Sequence, residues 1–381
     1  GEAGYFAPLS FFIASVIAAI SALSYAELSS RYPVSAGEAV YLYEGFHKRW
    51  LSILVGLLII GAGIVSSAAI AHGFAGYLKA LVASYYPAFE AVSPNIVITG
   101  LLLVLGAVAI WGIRQSVAVA SFLTLLEIAG LAIVIWVGVE QMPLLQQSFA
   151  AIEFTNHGHS VFSLFAGAFL AFYAYLGFED MVNVAEEVKD PQRNMPKAIL
   201  LAVVISTILY AGVALVAVLL VNPALLAQSN SPLADVYTAA TGKAPVVISL
   251  IGMFAVINGS LIQMIMASRL LYGMAHRGWL PRWFAVVNPA THTPINSTLT
   301  VVGLMLLLSI LLSIVTLAEI TSFLILIVFC LINLSLIKIK QRLPEVAGVS
   351  SYSIWIPRLG FATSMGFLLF NIADNVSAVF A

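Results

Sequence analysis

The sequence predicts an all-α protein that crosses a lipid bilayer about ten times, as judged from its composition, its apolar segments and its charge distribution. Apolar residues make up 61% of the 381 residues and charged residues only 9%. A soluble globular domain carries about 25% charged residues. This chain could not cover itself with a polar surface, so lipid must be its main solvent. The formal net charge of −1 gives no indication of a nucleic-acid partner.

The spanning helices follow from the lengths of the apolar segments. One crossing takes roughly 20 mostly apolar residues. Ten stretches meet this requirement, and no long polar segment between them could form a separate soluble domain. We therefore expect a single transmembrane domain over residues 1–381. The predicted spans are 5–30, 50–78, 95–112, 117–139, 160–187, 197–221, 246–275, 296–316, 318–338 and 353–378.

The Lys and Arg residues predict the orientation of these spans. Cytoplasmic loops of membrane proteins carry an excess of both residue types. All 16 Lys and Arg residues except Lys79 and Lys243 fall in or near one alternate set of connections, which we expect to face the cytoplasm. Residue 1 then lies on the outer face. Because an outer N-terminus without a signal sequence is unusual, we expect a further helix upstream of this chain.

The fifth span contains two acids at a depth where charge is unfavourable. Glu179 and Asp180 lie inside 160–187, and an ionised side chain in lipid is costly unless it faces protein or water. Gly177 beside them lowers helix propensity by about 1 kcal/mol. A helix break near Tyr175–Gly177 would expose backbone groups, which is tolerated where they line a cavity or bind something. The alternative is that both acids mark the cytoplasmic end of an ordinary helix.

Prolines predict how this span ends and the next begins. We expect helix to continue to Glu187 and to stop before Pro191, because proline disfavours helix in the preceding residue. Asn194 is then expected to cap the next helix, with Pro196 in its first turn.

Three blocks of sequence, in order and at matching spacing, resemble the amino acid–polyamine–organocation superfamily. They are similar to the end of that family's second helix, to its sixth helix with the following cytoplasmic loop, and to the end of its eighth helix. The resemblance covers essentially the whole chain. The blocks are Ser24–Tyr41, Phe172–Glu179 with Ala185–Ala198, and Ala267–Pro281 with Asn288-Pro289 and Thr293-Pro294.

The resemblance implies an inverted-repeat transporter bundle with discontinuous helices. Such transporters usually have twelve helices, of which the first ten form two inverted repeats. The ten spans of this chain would correspond to family helices two to eleven. The first helix, and the twelfth, are then expected to lie outside it.

The resemblance also implies a secondary transporter of amino acids that works by alternating access, with the substrate between the broken first and sixth helices. A zwitterion's ammonium suits backbone carbonyls at a half-helix C-terminus, and its carboxylate suits a half-helix N-terminus. By position, the carbonyls of Tyr173, Ala174 and Leu176, beside Gly177 and Glu179, would bind the ammonium. The carboxylate cradle would belong to the first helix.

Two side chains are further candidates for substrate contact. Tyr173 matches a family position whose aromatic ring closes over the substrate, although it could equally be a core aromatic. Gln263 shares a helical face with Gly259, Ser260 and Ala267. A small, polar face suits a cavity, but it also suits close helix packing.

Glu127 is the most specific single-residue candidate for ion coupling. Ser121, Thr124, Glu127 and Gly130 recur every three residues and predict a stripe that faces the bundle. Apolar surroundings favour the neutral acid, so Glu127 could bind and release a proton during transport. Many proton-coupled relatives carry a lysine at the matching position, where sodium binds in sodium-coupled members. Glu127 departs from that pattern, and it could instead hold helices together. Glu179 is the second candidate for proton coupling.

Other functions are less well supported by the sequence. A carrier of polyamines or organic cations with the same fold stays open. A channel or sensor needs a continuous polar lining, whereas the intramembrane polar groups here cluster near mid-depth. No metal-ligand set, nucleophile-and-base motif or phosphate loop is found, and His157 with His159 lacks further ligands. We therefore expect a multi-pass protein of the cell membrane, with no enzymatic activity, cofactor or metal.

Overall fold

The computed structural model describes residues 3–34, 37–83, 85–111, 117–141, 161–291, 293–343 and 349–380, and these ranges contain helices and turns but no strand. Short 3-10 helices cover Gly4–Phe6, Pro87–Ala91, Tyr173–Tyr175, Glu179–Glu187 and Arg282–Ala285. The α-helices are α1 (Ala7–Arg31), α2 (Gly37–Phe46), α3 (Arg49–Ala83), α4 (Pro94–Trp111), α5 (Val117–Glu140), α6 (Val161–Phe172), α7 (Pro191–Leu220), α8 (Pro223–Leu226), α9 (Pro232–Thr241), α10 (Val246–His276), α11 (Ile295–Leu311), α12 (Ile314–Arg342) and α13 (Trp355–Phe380).

The predicted all-α membrane architecture is confirmed. Within the described ranges, nine helices are long and apolar enough to cross a membrane. The remaining predicted span, 296–316, is α11, a shorter apolar helix that ends at Leu311. The helices that could cross are Gly4–Arg31, Arg49–Ala83, Pro94–Trp111, Phe122–Glu140, Phe162–Val182, Pro191–Leu220, Val246–His276, Ile314–Arg342 and Trp355–Ala373.

Contacts divide the chain into two compact units, each built from segments that are distant in sequence. The first unit contains Gly1–Leu9, Gly63–Gly167 and Leu209–Ala318. The second contains Ser10–Ala62, Ala168–Ile208 and Glu319–Ala381.

Side chains satisfy the C-terminal carbonyls of two helices in the first unit. The last carbonyls of a helix have no partner within it. The Thr293 hydroxyl donates to the Ile110 carbonyl at the end of α4, at 2.8 Å. His72 Nε2 lies 2.9 Å from the Ser309 carbonyl near the end of α11, and since a carbonyl only accepts, this nitrogen carries the hydrogen.

The core of the second unit contains an aromatic cluster around Phe329. The Phe329 ring lies 5.5 Å from Tyr25, 5.5 Å from Phe178 and 5.8 Å from Phe172, measured between centroids. Aromatic pairs at such separations and tilts add to the stability that area burial provides. The cluster joins α1, α6, α12 and the chain just before Glu179.

The start of α7 differs from the sequence prediction. The helix begins at Pro191, and Asn194 does not cap it, since its side chain donates instead to the Lys189 carbonyl at 2.6 Å. Proline is well suited to a first helical position, where its missing N–H is not needed. Pro196 is consequently inside the helix rather than in its first turn, and it cannot bond the Gln192 carbonyl.

Candidate functional site

The predicted break in the fifth span is confirmed, and the backbone angles locate it. The α-helix ends at Phe172, and one turn of 3-10 helix covers Tyr173–Tyr175. Leu176 is extended, with φ −69° and ψ 144°, and Gly177 has φ +123°, which residues with a Cβ rarely adopt. Beyond the break the chain is helical to Glu187, as expected, but with 3-10 rather than α geometry.

The Glu179 carboxylate satisfies a backbone group that the break exposes. The Gly177 N–H donates to Glu179 Oε2 at 2.9 Å, and the Asp180 N–H donates to the Gly177 carbonyl at 3.2 Å. Glu179 is only 3% exposed, so the alternative that places it in cytoplasmic water is wrong. The Leu176 carbonyl accepts no hydrogen bond from the described part of the chain. An acceptor therefore remains available within the span.

The other predicted substrate-binding residues lie directly before the break. Phe172 and Tyr175 are buried in the core, at 0% and 4% exposed, whereas Tyr173 and Ala174 are only partly buried. The Tyr173 carbonyl accepts the Leu176 N–H at 3.3 Å. Tyr173 thus differs from the buried residues Phe172 and Tyr175 in having accessible surface.

Glu127 contacts a buried amide on another helix. Asn258 of α10 donates through Nδ2 to Glu127 Oε1 at 3.3 Å. The two helices approach closely here. A Cβ added to Gly130 would lie only 2.6 Å from a methyl of Ile251. The predicted polar stripe holds at Glu127 and Gly130 but is wrong at Thr124, which is exposed. The side chain of Ser121 lies outside the described residues.

Gln263 lies on a tightly packed face of α10. A Cβ added to Gly63 of α3 would be 3.0 Å from Gln263 Oε1 and 3.7 Å from the Ala267 Cβ. One turn away, the hydroxyls of Ser67 and Ser260 are 2.6 Å apart. These contacts support the close-packing interpretation of this face, and a contact between Gln263 and substrate stays a prediction.

The candidate residues are divided between the two units. Glu127 and Gln263 belong to the first unit, and 173–179 belongs to the second. His157 and His159 lie outside the described residues.

An ion network around Glu27, which sequence reasoning missed, lies in the second unit. Glu27 is completely buried and accepts hydrogen bonds from Arg31 Nε at 2.9 Å and from Lys340 Nζ at 2.6 Å. The Lys340 ammonium also donates to the carbonyl of Tyr352, whose own N–H donates to Glu27 Oε2. Only the spacing of Glu27 and Arg31, one helical turn apart, was a signal in the sequence. Lys340 is 313 residues away.

Comparison with known proteins gives the family. The sequence model described as amino acid permease matches residues 1–379. The chain is 30% identical to cationic amino acid transporter 9, chloroplastic, of Arabidopsis thaliana, over 76% of this chain and 52% of that protein. It is 29% identical to cationic amino acid transporter 4, vacuolar, of the same plant, over 91% of this chain and 59% of that protein. The chain thus spans just over half the length of these two relatives.

A bacterial relative is also similar in sequence, and two solved structures are similar in fold. The branched-chain amino acid permease BcaP of Lactococcus lactis is 27% identical over 93% of this chain and 80% of that protein. The fold resembles a manganese transporter of Eremococcus coleocola, with TM-score 0.60, 11% identity, and coverage of 97% of this chain and 80% of the other. It also resembles MhsT in complex with L-phenylalanine, with TM-score 0.56, 14% identity, and coverage of 97% and 92%.

These relatives are transporters, and the apolar helices make this chain a multi-pass membrane protein. Since the family match extends over nearly every residue, the chain belongs to the amino acid permease family of the amino acid–polyamine–organocation superfamily.

Proposed function

We propose that this protein is a secondary transporter that carries amino acids across the cell membrane by alternating access. The observation that carries the proposal is the helix break at 176–177, where the Leu176 carbonyl accepts no hydrogen bond from the described residues. Broken helices form substrate and ion sites in secondary transporters.

The substrate ammonium would bind at the C-terminal end of the helical segment before the break, which consists of α6 and the 3-10 turn Tyr173–Tyr175. The carbonyls of Tyr173, Ala174 and Leu176 end this segment, where the helix dipole favours a cation. Glu179 lies two residues after Gly177 and would add negative charge. Tyr173, only partly buried, would cover the bound substrate.

A glycine substitution tests the break directly. Gly177 has φ +123° and no atom within 4 Å of an added Cβ, so Gly177→Ala would strain the backbone without a steric clash. Such strain costs about 1–3 kcal/mol and should reduce transport about tenfold or more. The measurement is counterflow of labelled leucine and labelled arginine in proteoliposomes of the full-length protein.

Gly303→Ala is the matched control. Gly303 also has open space around an added Cβ, but it lies inside α11 with ordinary helical angles. It should therefore transport like wild type. Equal transport rates in the two variants would show that the helix break has no role in transport. In the wild-type protein, saturable exchange supports a carrier, whereas flux that does not saturate would favour a channel.

We further propose proton coupling through Glu127. Glutamine keeps the shape of the protonated acid but cannot ionise, so Glu127→Gln should abolish most of the pH dependence of uptake. Glu140→Gln on the same helix is the control, since Glu140 is exposed and bonded to Trp136. Uptake by Glu127→Gln with an unchanged pH profile would reduce Glu127 to a helix contact with Asn258.

The substrate class within amino acids is tested by competition. Relatives are named as carriers of cationic and of branched-chain amino acids. Leucine, arginine and the polyamine putrescine are the informative competitors, with sodium present or replaced by choline. Inhibition by putrescine alone would favour the polyamine carrier over the amino acid transporter.

A further inference from the structure

The end of α12 carries three cations, and two of them have no acid as a partner in the described part of the chain. Lys340 is buried and paired with Glu27. Lys338 and Arg342, four residues apart, share another face of the helix, and both are exposed. Neither forms an ion pair with a described Asp or Glu. Their positive charges therefore remain available to an anion from outside the chain.

Both side chains contact the turn between α2 and α3. Lys338 Nζ lies 4.4 Å from the centre of the Phe46 ring, and Arg342 Nη1 lies 2.9 Å from Nε2 of His47, the next residue. Arg342 Nη1 also donates to the Glu44 carbonyl at 3.4 Å. Because a guanidinium only donates, His47 Nε2 accepts, and its imidazole is neutral. Two neutral acceptors thus position Arg342 without cancelling its charge.

Helix packing fixes this turn against α12. His47 has φ +51°, a left-handed conformation common after the last residue of a helix, and its N–H donates to the Tyr43 carbonyl at 2.6 Å. One residue before Phe46, a Cβ added to Gly45 would lie only 2.8 Å from the Cα of Ser335. The Ser335 hydroxyl also donates to a carbonyl of α2. The two cations of α12 therefore contact a built surface.

The start of α3 indicates the depth of this surface in the membrane. Trp50, the second residue of α3, is 59% exposed, and tryptophan is enriched at the membrane–water interface. Leu54 and Leu57 follow on the same helical face and are 40% and 43% exposed. Lys48, on the other side of Trp50 in sequence, is exposed. An apolar face suited to acyl chains thus begins where the exposed cations end.

We propose that Lys48, Lys338 and Arg342 bind the headgroup phosphate of an anionic phospholipid, whose acyl chains lie along α3 from Trp50 to Leu57. Among the described residues only Nη1 of Arg342 donates, so Nε and Nη2 are available as a planar pair for two phosphate oxygens. Lys and Arg clusters beside transmembrane helices attract acidic lipids on the cytoplasmic side, where we expect this turn. The apolar face favours a lipid over a free phosphate ion.

The test measures lipid affinity of the detergent-solubilised full-length protein by native mass spectrometry. Wild type should bind its first phosphatidylglycerol about tenfold more tightly than zwitterionic phosphatidylcholine. Lys338→Gln and Arg342→Gln should each weaken phosphatidylglycerol binding about fivefold and leave phosphatidylcholine binding unchanged. His47→Phe keeps a neutral ring but removes the acceptor that positions Arg342, so it should weaken phosphatidylglycerol binding about threefold without any change of charge.

Arg358→Gln is the matched control. Arg358 is also an exposed arginine of the second unit, it stacks 4.9 Å from the Trp355 ring centre, and it belongs to the same predicted cytoplasmic set. Its replacement should leave the preference for phosphatidylglycerol unchanged. If Lys338→Gln and Arg342→Gln bind this lipid like Arg358→Gln, the proposed site is wrong, because only the total charge would then matter.

Competition with inorganic phosphate distinguishes a lipid site from a site for a free anion. An excess of inorganic phosphate should not displace phosphatidylglycerol, since phosphate gains nothing from the apolar face of α3. Displacement by phosphate would overturn the lipid assignment, and so would equal affinity of the wild type for the two lipids. These measurements need no transport, so their outcome is independent of the proposed function.

Discussion

At the scale of single residues, Glu27 shows how a charge is kept inside this protein. It is completely buried, and two cations bind it, Arg31 and Lys340. Burying a charge is tolerated where it is paired and hydrogen-bonded, and here backbone groups of the second unit complete the set of partners. Removal of one partner should therefore lower the stability of the folded protein strongly, by an amount that depends on the charge left behind.

The network predicts an order of stability for two variants. Lys340→Met leaves Glu27 paired with Arg31, whereas Glu27→Gln removes the carboxylate that both buried cations bind. Glu27→Gln should cost about 3–5 kcal/mol and Lys340→Met clearly less. Thermal unfolding of the detergent-solubilised protein measures both. Lys338→Met is the control, since Lys338 is exposed over the Phe46 ring and its replacement should cost little stability. If Lys340→Met destabilised the protein more than Glu27→Gln, the network would be contradicted.

At the scale of secondary-structure elements, a hydroxyl replaces the donor that Pro196 removes from α7. The residue four places before Pro196 is Gln192, whose carbonyl would ordinarily accept the missing N–H. The Ser30 hydroxyl donates to this carbonyl at 2.7 Å and accepts the Ser350 N–H at 3.1 Å. The second unit thus satisfies the interior proline from a neighbouring helix, which explains how α7 begins at Pro191 without breaking.

A double-mutant cycle tests this substitution of donors. Ser30→Ala should destabilise the protein by about 0.5–1.5 kcal/mol, because it removes the hydrogen bond to the Gln192 carbonyl. Pro196→Ala restores the N–H, so Ser30→Ala should cost less in that background. Ser29→Ala is the control, since the Ser29 hydroxyl bonds the Ala26 carbonyl of its own helix. Additive effects on the unfolding temperature would show that Ser30 and Pro196 are not coupled.

At the scale of the whole molecule, the charge distribution predicts the topology. Lys243 follows α9 and is expected outside, whereas Arg277 follows α10 and is expected in the cytoplasm. Both side chains are exposed, so a cysteine at either position should react with a maleimide. On intact cells an impermeant maleimide should label Lys243→Cys but not Arg277→Cys. Cys330 is buried, so its own reaction with the maleimide should be weak. The opposite labelling pattern would show that the predicted orientation is inverted.

The sequence by itself determined the membrane class, the spans and the break at 176–177. Each depends on residues close together in the chain, namely apolar runs of sufficient length and a glycine beside two acids. Local signals were less reliable at the start of α7, because Pro191 and Pro196 are both compatible with a first turn and only packing chooses between them.

Only the tertiary structure decided which distant side chains meet. Lys340 pairs with Glu27, and Ser30 bonds the Gln192 carbonyl, although nothing in the local sequence predicts these contacts. Hydropathy and helix propensity are properties of a short window, so they establish that a helix forms and spans lipid. The partner of a buried polar group depends on which helices pack together, and this is settled only when the whole chain has buried its polar groups.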